Sequence, residues 1–288
     1  MTVSVLGLGA MGSRVAARLT DAAHAVTVWN RTPRSADAIR GATAAETPRA
    51  AASASSVVLS MVRDDDASRA VWDGPDGALA GLRPAALAIE MSTLTPGRAR
   101  QWAAAVVERG ARPLGAPVVG TRPHAESGAL TVLAGGDGDA LRDARPVLDA
   151  FAGAVHHVGP VGAGMAAKLA VNALLAVQAA AVAEALAGLS AQGIAPADAA
   201  RLLAQMPTAS PAAARLGDMM AQGATAPNFP VSLVAKDLGY GRAMVEASGV
   251  QSDVVAAAER AFRRAEDTGS GDLDIAAIAR LYGVPASP

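Results

Sequence analysis

Val3-Ser4-Val5-Leu6-Gly7-Leu8-Gly9-Ala10-Met11-Gly12 decides the fold. Four residues that alternate as a strand run into three glycines spaced G-x-G-x-x-G, and helix-forming Ser13-Arg14-Val15-Ala16-Ala17-Arg18-Leu19 follows. Each glycine has its own reason. Gly7 permits the tight turn, Gly9 lets a pyrophosphate approach the backbone, and Gly12 lets helix and strand pack closely. The helix then offers free N–H groups and a partial positive charge to a phosphate. Gly7, Leu8, Gly9, Ala10, Met11 and Gly12 are therefore candidate dinucleotide-binding residues. A glycine-rich turn without a ligand is the bland alternative; a strand before and a helix after the motif weigh against it.

Outward from this turn, short apolar strands alternate with helical stretches. Strands are expected at 3–6, 25–30, 57–62, 86–91, 112–118 and 130–134, with helices such as 11–22 and 96–109 between them. That alternation predicts a mostly parallel sheet with helices on both faces. From Gly162 no strand pattern is found, and Pro and Gly separate Ala-rich helical runs at 162–192, 196–205, 211–222, 231–248, 253–267 and 273–282. The fold class is α/β: a doubly wound Rossmann domain over residues 1–161, then a long interdomain helix and an all-α domain over 162–288.

The end of the second strand bears on which dinucleotide is bound. An NAD enzyme commonly places Asp or Glu there, about 20 residues past the glycines, for the ribose 2′-hydroxyl. This chain reads Trp29-Asn30-Arg31-Thr32-Pro33-Arg34, without a carboxylate. Arginine forks a 2′-phosphate and threonine adds a hydroxyl, so Asn30, Arg31 and Thr32 point to NADPH over NADH.

The 288 residues are 51% hydrophobic and 18% charged, the balance of a globular chain with a large core. A formal net charge of -1 gives no electrostatic reason to expect nucleic acid or an anionic membrane as partner. The absence of cysteine excludes disulfides and thiolate metal sites, and the four histidines lack metal-site spacing. The apolar stretch 166–188 is interrupted by Lys168, Asn172, Gln178 and Glu184, whereas a membrane span needs roughly 20 nearly unbroken apolar residues. A buried helix is expected there. The start of the chain lacks the pattern of a signal peptide, so a cytoplasmic location is expected.

Of 25 Lys plus Arg, only Lys168 and Lys236 are lysine, which leaves 23 arginines. A lysine can lose its proton at accessible pH when desolvated, as general acid catalysis requires. Gly164, Lys168 and Asn172 follow at i, i+4 and i+8 on one helical stripe. Burying a lysine without a partner is costly, so Lys168 should face a cleft, with Gly164 letting a ligand come close. Lys236 sits in another apolar helical run, and Asp237, its sequence neighbour, should point to a different face. Asp64-Asp65-Asp66 reads as a solvated helix cap, and His156-His157 as edge residues of a strand.

Four ordered blocks carry a resemblance over essentially the whole chain: Val5-Leu6-Gly7-Leu8-Gly9-Ala10-Met11-Gly12, Gly115-Ala116-Pro117-Val118-Val119-Gly120, the run from Gly162 to Asn172, and Lys236-Asp237-Leu238. The sequence resembles the β-hydroxyacid dehydrogenases, the group of 3-hydroxyisobutyrate and 6-phosphogluconate dehydrogenases. The resemblance implies an active site between the domains, with Lys168 as catalytic proton donor and Asn172 positioning the substrate. It places Met61, Val62 and Thr93 by the cofactor's nicotinamide side, and Lys236 near cofactor and substrate. The reaction implied is hydride transfer between nicotinamide and a small carbonyl or hydroxy acid.

One block departs from the family. Val119-Gly120-Thr121 stands where members that bind a substrate carboxylate usually carry serine and two glycines. Thr121 and Arg122 are able to replace the lost hydroxyl, or to be surface residues. An imine reductase on the same architecture is the rival reading; Lys168 argues against it and Val119 for it. A non-catalytic NADPH-binding module is a third. The Ala-rich second half, with the family habit, suggests a homodimer or larger assembly.

Overall fold

Strands form where β-branched residues alternate, and their two faces bury two different cores. The computed structural model describes residues 1–32 and 39–284, so Pro33 and Arg34 lie outside the described residues. The first half contains β1 (Thr2–Leu6), α1 (Gly12–Asp21), β2 (Ala25–Trp29), β3 (Thr43–Ala44), α2 (Pro48–Ser53), β4 (Val57–Ser60), α3 (Asp65–Trp72), β5 (Leu87–Glu90), α4 (Pro96–Glu108) and β6 (Arg112–Gly115). It continues with β7 (Val118–Val119), α5 (Arg122–Ser127), β8 (Leu130–Gly136), α6 (Gly138–Leu148) and β9 (Ala152–Gly159).

The sheet order is β3-β2-β1-β4-β5-β6-β8-β7, with β9 beside β8. From β3 to β6 every pairing is parallel. The register lines up Val28, Val5, Leu59, Ile89 and Leu114 in one row across five strands. All five are fully buried in one core with Val15 and Leu19 of α1. Leu6, Val58 and Ala88 face the opposite core with Trp72 of α3 and Trp102 of α4. This is the doubly wound arrangement expected from the alternation.

The strand expected over 112–118 is two. Pro117 has no N–H to give to a ladder, so the chain breaks after β6 and resumes as β7, antiparallel to β8. The two-residue β3 is too short to leave a periodic pattern. His157 lies on the edge strand β9, where Nε2 bonds the Gly136 carbonyl at 2.9 Å.

The second half holds α7 (Ala163–Ala191), α8 (Pro196–Ala204), α9 (Pro211–Ala221), α10 (Val231–Glu246) and α11 (Asp253–Ala265). The last turn, Ile275–Tyr282, is a 3-10 helix rather than the α-helix expected. Among the described residues no strand follows β9, apart from one isolated bridge between Pro230 and Asp274. The chain divides into two compact units, Met1–Lys168 and Leu169–Pro288, the division falling inside α7.

Full burial of α7 is not what forms. The helix is long and apolar enough to cross a membrane, with a mean hydropathy of 1.8, but only part of it is covered. Ala173, Ala176, Ala179, Ala183 and Leu186 enter the core of the second unit, whereas Val171 and Leu174 stay exposed at 41% and 64%. An all-round apolar sequence carries no periodicity from which to tell the two sides apart.

Candidate functional site

The three glycines of the first turn do different work. Gly7 adopts φ +97°, and a Cβ on it would stand 2.5 Å from the Met61 carbonyl oxygen and 2.9 Å from Val62 Cγ1. A Cβ on Gly12 would meet the Gly7 oxygen at 2.0 Å, so α1 sits directly on the turn. Gly9 is exposed and has nothing within 4 Å of its Cβ position. No side chain caps α1 and no acidic residue lies in its first turn, which keeps that helix end electropositive. A dinucleotide fits here: the walls are tight where the protein packs on itself and open at the one glycine a pyrophosphate must approach.

Asn30 organises this turn. Leu8 N–H donates to its Oδ1 at 2.9 Å, and its Nδ2 donates to the Thr32 carbonyl at 3.1 Å. The amide thus bridges the glycine turn and the start of the following loop. Arg31 and Thr32 are exposed beside it.

The Met61–Val62 turn, against which Gly7 packs, is held from behind. Val62 N–H donates to Ser92 Oγ at 2.8 Å, and Ser92 N–H donates to Glu90 Oε1 at 3.0 Å. Glu90 is fully buried at the end of β5 and also accepts from Trp72 Nε1 at 2.8 Å and Ser68 Oγ at 3.1 Å. Burial raises its carboxyl above the ordinary glutamate value, and these donors pull the other way. Thr93 follows Ser92 and is half-buried. Asp64 caps α3 by accepting from Ala67 N–H at 2.8 Å, as expected. Asp65 is not merely solvated: its two oxygens take Thr95 N–H and Oγ–H at 2.9 and 2.7 Å.

Gly164 does not open space for a ligand. A Cβ there would lie 2.3 Å from the Leu133 carbonyl oxygen and 3.2 Å from the Gly115 oxygen. Gly135 meets the same helix start, its Cβ position 2.8 Å from Gly164 N. The first turn of α7 therefore rests on strand backbone, and Lys168 follows one turn later, half-buried.

On the second unit, Asn172 and Lys236 meet at Asp237. Asn172 Nδ2 donates to Asp237 Oδ2 at 2.6 Å, and Lys236 Nζ forms an ion pair with Asp237 Oδ1 at 2.9 Å. The expectation that Asp237 would point away from Lys236 fails, because the flexible lysine stem folds back across the helix. Nζ also stands 5.0 Å over the Tyr240 ring. One turn along α10, Gly241 lies against α7, its Cβ position 3.8 Å from the Leu169 oxygen, which brings the helices close enough for Asp237 to reach Asn172. Asp237 is 3% exposed and Asn172 5%.

At the departing block, Gly120 takes φ +142° and Val119 is half-buried. Thr121 Oγ lies 2.8 Å from His124 Nδ1, which also accepts Thr121 N–H at 3.2 Å. With Nδ1 accepting, the hydroxyl proton is directed at the imidazole. Ser92, Glu90 and His124 are thus polar partners that sequence reading did not single out, and Asp237, read there only as the neighbour of Lys236, proves to be a partner of Asn172 as well.

Comparison with known proteins gives the family. Residues 2–159 match the family model described as the NAD binding domain of 6-phosphogluconate dehydrogenase, and residues 162–282 match that described as the NAD-binding region of NADP-dependent 3-hydroxyisobutyrate dehydrogenase. The chain belongs to the β-hydroxyacid dehydrogenase family. A relative, the NAD-dependent L-serine dehydrogenase of Pseudomonas aeruginosa, is 32% identical over 97% of each chain. The 3-hydroxyisobutyrate dehydrogenase of Mycobacterium tuberculosis, solved with L-serine, is 30% identical with a TM-score of 0.86, covering 97% of this chain and 98% of that one. An imine reductase from Streptomyces aurantiacus is 27% identical with a TM-score of 0.61, covering 98% and 99%. The protein is therefore an oxidoreductase by family, with a nicotinamide-dinucleotide-binding Rossmann domain.

Proposed function

We propose that this β-hydroxyacid dehydrogenase is an NADPH-dependent reductase of small carbonyl compounds, with Lys168 as proton donor and Asn172 orienting the substrate. The observation that carries the reading is Gly9, which alone of the three loop glycines has open space around its Cβ position. Gly7, Leu8, Ala10, Met11 and Gly12 form the rest of the phosphate turn, and Met61, Val62 and Thr93 its nicotinamide side. When bound, the dihydronicotinamide supplies a hydride to the carbonyl carbon. Lys168 gives its ammonium proton to the carbonyl oxygen, so aldehyde or ketone, hydride and proton make the alcohol. Asn172, its amide steered by Asp237, orients the same oxygen. Lys236, paired with Asp237, keeps a positive charge close to the bound groups.

NADPH is favoured over NADH because no carboxylate ends β2 and Asn30 is engaged with the glycine turn. Arg31 and Thr32 are left to face a 2′-phosphate. Val119, Gly120 and Thr121 line the substrate side. The imine reductase reading has one observation in its favour: Val119 carries no hydroxyl and that of Thr121 is directed at His124, which leaves neither free for a substrate carboxylate. A homodimer or larger assembly is also proposed, on the exposed Val171 and Leu174 of α7; a light-scattering mass of one chain refutes it.

The test is NADPH oxidation by wild type and Lys168→Ala against aldehydes, keto acids and cyclic imines. The expected result is aldehyde or keto acid turnover that falls about 100- to 10,000-fold in Lys168→Ala. Turnover of an imine above every carbonyl compound would establish the rival, and a broad panel without turnover would leave a dinucleotide-binding module. Activity unchanged in the variant would remove Lys168 from its role.

A further inference from the structure

Glu90 is a fully buried carboxylate with no part in the chemistry just described. Replacing a buried ionic group by apolar side chains of similar volume is often neutral or stabilising, so stability alone is a poor account of it. Its surroundings supply another.

Every group that bonds Glu90 donates to it. Trp72 Nε1, Ser68 Oγ and Ser92 N–H lie at 2.8, 3.1 and 3.0 Å. A carboxylate only accepts, so all three donors are satisfied, whereas a glutamine amide would set N–H against N–H or O–H. The positive counterpart stands one hydroxyl away. Arg98, 5% exposed, directs Nε to Ser68 Oγ at 3.3 Å and forks Asp73 with both terminal nitrogens at 3.3 Å.

The other end of this chain of bonds is the wall of the glycine turn. Ser92, whose N–H donates to Glu90, accepts Val62 N–H on its Oγ at 2.8 Å. Hydrogen bonds in such a series polarise one another. The Met61–Val62 turn held in this way is the surface that leaves Gly7 no room for a side chain.

We propose that Glu90 is a positioning residue of the dinucleotide site, acting through Ser92 on the Met61–Val62 turn. The proposal rests on reading the Gly7–Gly12 turn as the dinucleotide site. Glu90 fixes how far Val62 and Met61 stand from Gly7, and so the width of the groove that a nicotinamide dinucleotide enters. Thr93, immediately beyond Ser92, is set by the same anchor. The buried charge trades stability for a fixed wall.

Full-length wild type, Glu90→Gln, Ser92→Ala and the double variant are titrated with NADPH by fluorescence, and their folding without cofactor is followed by circular dichroism. Each single substitution is expected to raise the NADPH Kd about tenfold, the effect of one lost hydrogen bond to a charged group. The double variant should lose no more than the worse single, because both act along one chain. With a substrate that wild type reduces, KM for NADPH rises while kcat at saturating NADPH stays within about twofold. Unchanged affinity in folded variants, or increases in Kd that multiply in the double variant, overturns the proposal. If Glu90→Gln does not fold, Ser92→Ala decides alone: folded protein with wild-type affinity is fatal. Wild type that binds neither NADPH nor NADH overturns the underlying site reading instead.

Discussion

Asn172 Nδ2 and Asp237 Oδ2 are 2.6 Å apart, and the other oxygen of Asp237 is 2.9 Å from Lys236 Nζ. One buried carboxylate thus sets the orientation of the amide and places the ammonium. Asp237→Asn removes the charge and leaves an amide facing an amide. The expected outcome is a fall of about 10- to 100-fold in kcat/KM, the cost of about 1–3 kcal/mol for a broken buried polar pair. Steady-state kinetics check it; a value within twofold of wild type shows that Asn172 needs no such partner.

The glycines of the turn separate folding from binding. Gly12→Ala drives a methyl into the Gly7 carbonyl, 2.0 Å away, and should lower the thermal midpoint of the cofactor-free protein by several degrees. Gly9→Ala meets no protein atom, so that midpoint should stay unchanged while the NADPH Kd rises at least about tenfold. Calorimetry and titration of both variants decide; NADPH affinity unaffected in Gly9→Ala moves the pyrophosphate elsewhere.

Cofactor preference should reside largely in Arg31. Arg31→Ala is expected to lower kcat/KM for NADPH about tenfold or more and to leave NADH nearly unchanged, since a charge-assisted pair is lost only with the phosphorylated ribose. Equal losses with both cofactors would mean that Arg31 does not read the 2′-phosphate.

Stability on acidification should depend on Glu259. Burial alone would raise its carboxyl, but Arg242 Nε at 2.6 Å and Arg263 Nε at 2.9 Å outweigh it and hold it below the ordinary value of 4.5. A lowered folded-state value stabilises the protein above pH 4.5, and that contribution disappears as pH falls through the folded-state value. Glu259→Gln should therefore cost about 1–2 kcal/mol near neutrality, with the deficit shrinking below pH 4.5. Denaturant unfolding across pH measures the gap; a constant gap refutes the pairing as its source.

The doubly wound half was legible because its signals are local. A turn that needs glycine at three fixed offsets, and strands that alternate every second residue, write themselves into short windows. Glu90 gathers Ser68, Trp72 and Ser92 across the sequence, a convergence that no short window displays. Asp237 was hidden by a rule about backbone direction that a long lysine side chain escapes. Pro117 was in plain view, and its missing N–H ends a ladder that apolar residues alone would continue. Gly9 and Gly164 are the same letter with opposite meanings, since open space and a neighbouring carbonyl leave the same trace in sequence.

That second glycine carries a wider consequence. Where Gly164 and Gly135 meet, the atoms nearest to either Cβ position are all backbone, so no rotamer change there can absorb an error. The location of Lys168 is inherited from strand carbonyls and not chosen by the helix that bears it. One added methyl at the seam would shift that location, so the tolerances of this enzyme are set by atoms that are absent.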